Sequence, residues 1–270
     1  MKIAYRREGS GPAVLLIHGV GGDSTNWGPI AARLRRHFEV IAMDVRGHGG
    51  SDLIAGPLTA HDLARDALQV LDEAGVQQCA AVGFSLGGAV ALALALDFPE
   101  RVQKLAVIGT VCGRTPEEQQ KARDRIAFLT EHGTAALAEA NRERWFTDEF
   151  RQQHPDIVDR RVAQVAACDT DSYLHAFTVF ATADFADRLG EIRVPMLAIT
   201  GERDLAATPR MAHLMAEGVA DREAQVLPHL RHSLLIEAPA AVVRLLEPFL
   251  QHGSRANGPA RAAAASANAQ

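Results

Sequence analysis

The chain is short of cysteine, of any excess of basic charge and of long apolar runs, and each shortage removes a class of protein. Only three of its 270 residues are cysteine, at Cys79, Cys112 and Cys168. They are odd in number, far apart and in no metal-ligand spacing. They read as packing residues in a reducing compartment, with no disulfide framework and no metal site. The longest apolar runs, Ala13 to Ile17 and Ala89 to Leu96, fall far below the ~20 residues that a membrane-spanning helix needs. Lys and Arg number 28 against 33 Asp and Glu, a net charge of −5, and without a basic stripe nucleic acid is not an expected partner. The first residues, Met1 to Glu8, turn charged at once and contain no apolar export core, so a cytoplasmic location is the default.

What is present is a globular composition, 47% apolar and 23% charged, able to bury a sizeable core in one large domain or two small ones. A homodimer stays open. The continuous apolar run Ala13–Ile17 reads as a strand buried on both faces, Phe38–Met43 as another, and Cys79–Val82 and Val102–Ile108 as a third and a fourth strand. Helical spacing separates them at Thr59 to Ala74, with Thr59 as N-cap, and at Gly88 to Asp97. This alternation predicts an α/β fold, a mostly parallel sheet with helices on both faces. It stops from about Gly113 to Arg188, where helices are expected at Glu117–Thr130, Thr134–Arg144, Ile157–Ala167 and Asp171–Phe180. Sheet character returns at Met196–Thr200 and Ala224–Leu227, and a last helix is expected near Ala240 to Leu250. The expected organisation is a core of residues 1–112 and 189–252, a helical cap at 113–188, and a disordered tail at 253–270 with almost no large apolar group.

Gly83-Phe84-Ser85-Leu86-Gly87 fits Gly-x-Ser-x-Gly between a strand and a helix. Small flanking residues let the serine sit on a sharp, strained turn with its hydroxyl clear of the sheet, beside the free N–H groups of a helix start. A serine hydroxyl needs a base, and the base needs a carboxylate to orient it. Asp204 in Gly201-Glu202-Arg203-Asp204 and His232 in His229-Leu230-Arg231-His232-Ser233 each follow a strand in the sheet's second half. The order Ser85, Asp204, His232 is that of a hydrolase triad. Gly19-Val20-Gly21-Gly22-Asp23-Ser24 nearly spells a dinucleotide fingerprint, but Ser24 occupies the third glycine position and Trp27 and Pro29 interrupt the following helix. No cofactor is expected.

Together with His18-Gly19-Val20-Gly21-Gly22 and Asp44-Val45-Arg46-Gly47-His48-Gly49-Gly50-Ser51, these motifs make the chain similar to the α/β-hydrolase superfamily over nearly all its length. The resemblance implies an α/β-hydrolase fold with Ser85 as nucleophile, His232 as base then acid, and Asp204 fixing the imidazole. It implies the backbone N–H groups of Val20 and Leu86 as oxyanion donors. His229 competes with His232, and Glu202 with Asp204, but family position favours His232 and Asp204. Asp44, His18 and His48 are expected to be structural. A serine at the elbow argues against the dehalogenase and epoxide hydrolase branches, which use aspartate.

Arg144-Trp145-Phe146-Thr147, the stretch Phe185 to Leu189, and Asp204-Leu205-Ala206-Ala207-Thr208-Pro209 resemble 3-oxoadipate enol-lactonases. That resemblance implies a small ester or lactone as the partner molecule, an acyl-enzyme, and a role in degrading aromatic compounds. Such a substrate carries a carboxylate, for which Arg144 is the candidate cation, with Trp145 beside it and Trp27 and Phe84 lining the apolar part of the pocket. The alternatives are carbon–carbon or amide hydrolysis, a cofactor-free oxygenase or perhydrolase, and a receptor that binds without turnover.

Overall fold

The structure, a computed structural model, describes residues 1–253. The tail expected at 253–270 therefore lies, Gly253 apart, outside the described residues. Seven strands form one sheet: β1 (Tyr5–Gly9), β2 (Ala13–Ile17), β3 (Glu39–Met43), β4 (Cys79–Phe84), β5 (Val102–Ile108), β6 (Met196–Gly201) and β7 (Arg222–Leu227). Their order is β1-β3-β2-β4-β5-β6-β7, parallel except for β1, which runs antiparallel to β3. The expected strands are all present. β1 was not expected, because its sequence Tyr-Arg-Arg-Glu-Gly is charged and half exposed, as an edge strand can be and a central one cannot.

Side chains of the central strands alternate between two cores. Leu15, Ile17, Ala81, Leu105 and Val107 enter one, and Val14, Leu16, Val82, Ala106 and Ile108 the other. Helices α1 (Gly28–Leu34), α2 (Ala60–Glu73) and α3 (Leu86–Asp97) follow the first strands. The start of α2 is set by Thr59, whose hydroxyl accepts from the Asp62 N–H at 3.2 Å while the Asp62 carboxylate accepts from the Thr59 N–H at 2.9 Å. α3 is apolar all round and, except for Asp97 at its end, buried along its length. Such a helix is stable only inside a protein.

Between β5 and β6 stand α4 (Pro116–Trp145), α5 (Asp148–Gln153), α6 (Pro155–Ala166) and α7 (Thr170–Thr182). The two helices expected at 117–130 and 134–144 are the arms of α4, separated at Gly133, whose φ of 78° breaks the helical path. The arms fold back on each other, so that Arg125 on the first hydrogen-bonds Asn141 on the second. Helices α8 (Pro209–Glu217), α9 (Leu234–Glu237) and α10 (Pro239–His252) complete the chain. Among the described residues no helix is long and apolar enough to cross a membrane. Cys79 and Cys112 are buried, which pushes both thiols up to about 12, and the three cysteines are unbridged.

Candidate active site

β4 delivers Ser85 to the turn before α3 with φ 55° and ψ −115°. Such a positive φ on a residue with a Cβ costs about 1–3 kcal/mol and persists only where the surroundings enforce it. Two glycines enforce it by close approach. A Cβ on Gly83 would lie 2.1 Å from the Gly87 carbonyl oxygen, and one on Gly87 would lie 2.1 Å from that of Ile17. The Ser85 side chain does not cap the helix that it precedes. It meets His232 instead.

His232 Nε2 stands 3.2 Å from Ser85 Oγ, and its Nδ1 stands 2.6 Å from Asp204 Oδ2. Asp204 Oδ1 accepts from the backbone N–H groups of Ala206 at 2.8 Å and Ala207 at 3.0 Å. With both carboxylate oxygens accepting, Nδ1 carries the proton and Nε2 keeps a lone pair for the serine hydroxyl. All three side chains are buried. His229 and Glu202 are exposed and hydrogen-bond each other away from Ser85, the His229 N–H donating to the Glu202 carboxylate at 2.8 Å.

The loop after β2 is held at successive peptide groups. The Gly19 carbonyl accepts from His18 Nδ1 at 2.8 Å and from the Gly22 N–H at 3.1 Å, and Gly21 N–H donates to His48 Nε2 at 2.9 Å. Arg161, reaching down from α6, donates to the Val20 carbonyl at 3.0 Å and to that of Gly21. Its guanidinium also lies over the Trp145 ring, 5.3 Å from the centroid. The N–H groups of Val20 and Leu86 donate to no other described residue. Donors fixed in advance in this way can meet a developing oxyanion without reorganising.

His18 and His48 serve as braces. His18 Nε2 accepts from the Val45 N–H at 2.9 Å, and His48 Nδ1 donates to the Arg46 carbonyl at 3.1 Å. Asp44 accepts from the N–H groups of Ser24 and Gly50, while Arg46 pairs with Asp66. Burial lowers both imidazoles, that of His48 to about 3. In the unfolded chain a histidine takes up its proton near 6.5. His48 therefore adds stability that is full above that pH and drains away as the pH falls toward 3, about 2 kcal/mol of it between pH 7 and 5. Urea unfolding at the two pH values is expected to show a loss about 2 kcal/mol smaller in His48→Gln than in wild type. Equal losses would refute the brace.

A cavity of about 680 Å³ opens between these loops and the helices of the inserted block. Its wall includes Gly19, Val20, Phe84, Ser85, Asp204 and His232 from the sheet side, and Arg125, Arg144, Trp145, Arg161, Tyr173 and Phe180 from the helices. The Phe84 ring lies tilted by 38° against that of His232, with 5.2 Å between ring centroids. The Arg144 side chain lines the cavity and makes no hydrogen bond or ion pair with any described residue. Burial lowers its guanidinium, against the pull of Asp204. The C-terminal end of α4 is docked onto the histidine loop by the Ser233 N–H, which donates to the Trp145 carbonyl at 2.9 Å.

Trp27, expected to line this pocket, does not. The 3-10 turn Ser24–Trp27 points its indole into the opposite core with Val14, Leu16, Ile30 and Leu34, fully buried. Pro29, expected to interrupt a helix, sits in the first turn of α1, where a missing N–H costs nothing. Arg125 and Arg161 on the wall escaped the sequence reading, although a signal existed. Each arginine lies on its helix's apolar stripe, Arg125 among Ala122, Ile126 and Leu129 and Arg161 among Val158, Val162 and Val165. A charge on a buried face calls for a partner.

The sequence model for the α/β hydrolase fold matches residues 12–239. The chain is 28% identical over 240 residues to 3-oxoadipate enol-lactonase 2 of Acinetobacter baylyi, covering 89% of each. It is 33% identical over 271 residues to RutD of Variovorax paradoxus, a protein named for carbamate hydrolysis, covering 96% of this chain and 100% of that one. Among solved structures, the enol-lactonase from Burkholderia xenovorans superposes with a TM-score of 0.85 at 29% identity, covering 93% of this chain and 96% of that one.

Proposed function

Since the chain belongs to the α/β-hydrolase fold family, we propose that it is a serine hydrolase of small carboxylated esters or lactones, a class that includes enol-lactones, acting through an acyl-enzyme. The observation that carries this reading is the chain of contacts Ser85–His232–Asp204 in the wall of an arginine-bearing cavity. The similarity to enol-lactonases in sequence and in structure supports the same substrate class.

The chemistry follows from the positions. Ser85 Oγ attacks the ring carbonyl as His232 Nε2 takes its proton, and the oxyanion forms toward the N–H groups of Val20 and Leu86. The carbonyl–oxygen bond of the ring breaks, and the proton returns from His232 to the departing enol oxygen. Water then attacks the acyl carbon as it gives a proton to His232, the bond from that carbon to Ser85 Oγ breaks, and His232 returns the proton to Oγ as the ring-opened acid leaves. Asp204 holds the imidazole and stabilises its cationic form throughout. The substrate's carboxylate pairs with Arg144, a half-buried cation that makes no hydrogen bond or ion pair with any described residue.

Carbamate hydrolysis is the second reading, favoured by the similarity to RutD over almost the whole chain. The same serine chemistry serves both. Purified protein incubated with a carboxylated enol-lactone and with a small carbamate, with acid release followed by titration and products by mass spectrometry, separates them. The lactone is expected to turn over with kcat/KM of about 10⁴ M⁻¹s⁻¹ or more. Turnover of the carbamate alone would replace the lactonase reading with the second.

A further inference from the structure

The wall of the active-site cavity bears five basic side chains, Arg114, Lys121, Arg125, Arg144 and Arg161. Three have an evident place. Lys121 is exposed at the rim, Arg161 is spent on the carbonyls of Val20 and Gly21, and Arg114 is spent on that of Phe180 at 2.9 Å and on the Phe180 ring. Arg125 and Arg144 remain. Arg125 holds one acceptor, the Asn141 side-chain oxygen, and Arg144 holds none among the described residues.

The acids on the same wall do not neutralise them. Asp204 is committed to His232 and to the N–H groups of Ala206 and Ala207. Glu118 pairs with Arg210 and accepts from the Thr115 N–H. Asp124 is exposed and accepts from Gln120. The fold-back of α4 at Gly133 nevertheless brings the two guanidiniums to one side of the cavity. Asn141, which Arg125 touches, is three residues before Arg144 on the same helical face. Burial, and after it the charge of Arg144, push Arg125 down to about 10. Two half-buried like charges on the wall of one cavity are unfavourable until a counter-charge enters.

We infer that Arg125 and Arg144 form a paired anion subsite, and that the molecule hydrolysed at Ser85 carries two carboxylates besides its scissile ester or lactone. This rests on the hydrolase reading and narrows it, since an enol-lactone of a simple dicarboxylic acid keeps only one free carboxylate. Each guanidinium offers a planar fork of donors, which matches one carboxylate apiece. Two negative charges balance the pair, and one leaves a cation uncompensated.

Three p-nitrophenyl esters test it: the butyrate, the mono-ester of glutarate, and the mono-ester of propane-1,2,3-tricarboxylate, with none, one and two free carboxylates. Wild type is expected to show kcat/KM rising at each step. In Arg125→Met and in Arg144→Met the ratio of kcat/KM for the doubly charged ester to that for the butyrate is expected to fall about tenfold to a hundredfold, and further in the double variant. The ratio is internal to each variant, so partial loss of folded protein does not move it. A wild type that prefers the singly charged ester, or an Arg125→Met ratio within threefold of wild type, overturns the paired subsite and leaves the hydrolase reading standing. Turnover of all three esters surviving in Ser85→Ala overturns the hydrolase reading itself.

Discussion

Ser85→Ala is expected to lower kcat for ester or lactone hydrolysis by on the order of 10⁶, the largest single loss available in this protein. Its hydroxyl stands 3.2 Å from His232 Nε2, held there by the strained backbone at φ 55°. Alanine tolerates that backbone no better than serine and no worse, so the fold should survive. The residual rate comes from what remains, the braced loop around Val20 and the cavity that holds the substrate. Burst and steady-state assays on the same ester, with unfolding midpoints measured alongside, check this. A variant within tenfold of wild type would remove Ser85 from the chemistry.

Asp204→Asn is expected to cost about 10⁴ in kcat with little loss of fold. The reason is specific to this carboxylate, which accepts on both sides, from His232 Nδ1 at 2.6 Å and from the Ala206 and Ala207 N–H groups at 2.8 and 3.0 Å. An asparagine has one accepting oxygen. If that oxygen stays with the two backbone donors, the NH₂ group faces Nδ1, which must then accept, and the proton moves to Nε2. An imidazole protonated at Nε2 cannot take the proton of Ser85. If the amide turns over, it opposes two backbone N–H groups with its own donors, a buried mismatch. A crystal structure of the variant, read for the amide's orientation, with kcat across pH 6 to 9, distinguishes the two. Activity retained within tenfold would show that Asp204 does not set the tautomer.

Much of this site was legible in the sequence because its parts are short and local. Gly83 to Gly87 is one turn, and its glycines are demanded by contacts of 2.1 Å. The runs at 13–17, 40–43, 79–82, 105–108 and 196–199, which became the inner parts of β2 to β6, are apolar on consecutive positions, the mark of strands covered on both faces. Trp27 was misplaced because a 3-10 turn of four residues, Ser24–Trp27, decides which core an indole enters, and no periodicity reports that rotation. Arg125 was passed over because its meaning depends on Asn141 across the break at Gly133, 16 residues away in the chain.

What the sequence by itself determined is the alternation of strands and helices, the elbow, and the order Ser85, Asp204, His232, since each depends on residue type and spacing within a few positions. Only the tertiary structure decided that His232 rather than His229 meets Ser85, that Arg161 of the inserted helices grips the loop of Val20, and that Arg125 and Arg144 share one wall. Those are distances between segments remote along the chain. They are settled when burial of the two cores closes the sheet and the inserted helices over one cavity, and a charge stranded there acquires a meaning that its position in the sequence does not carry.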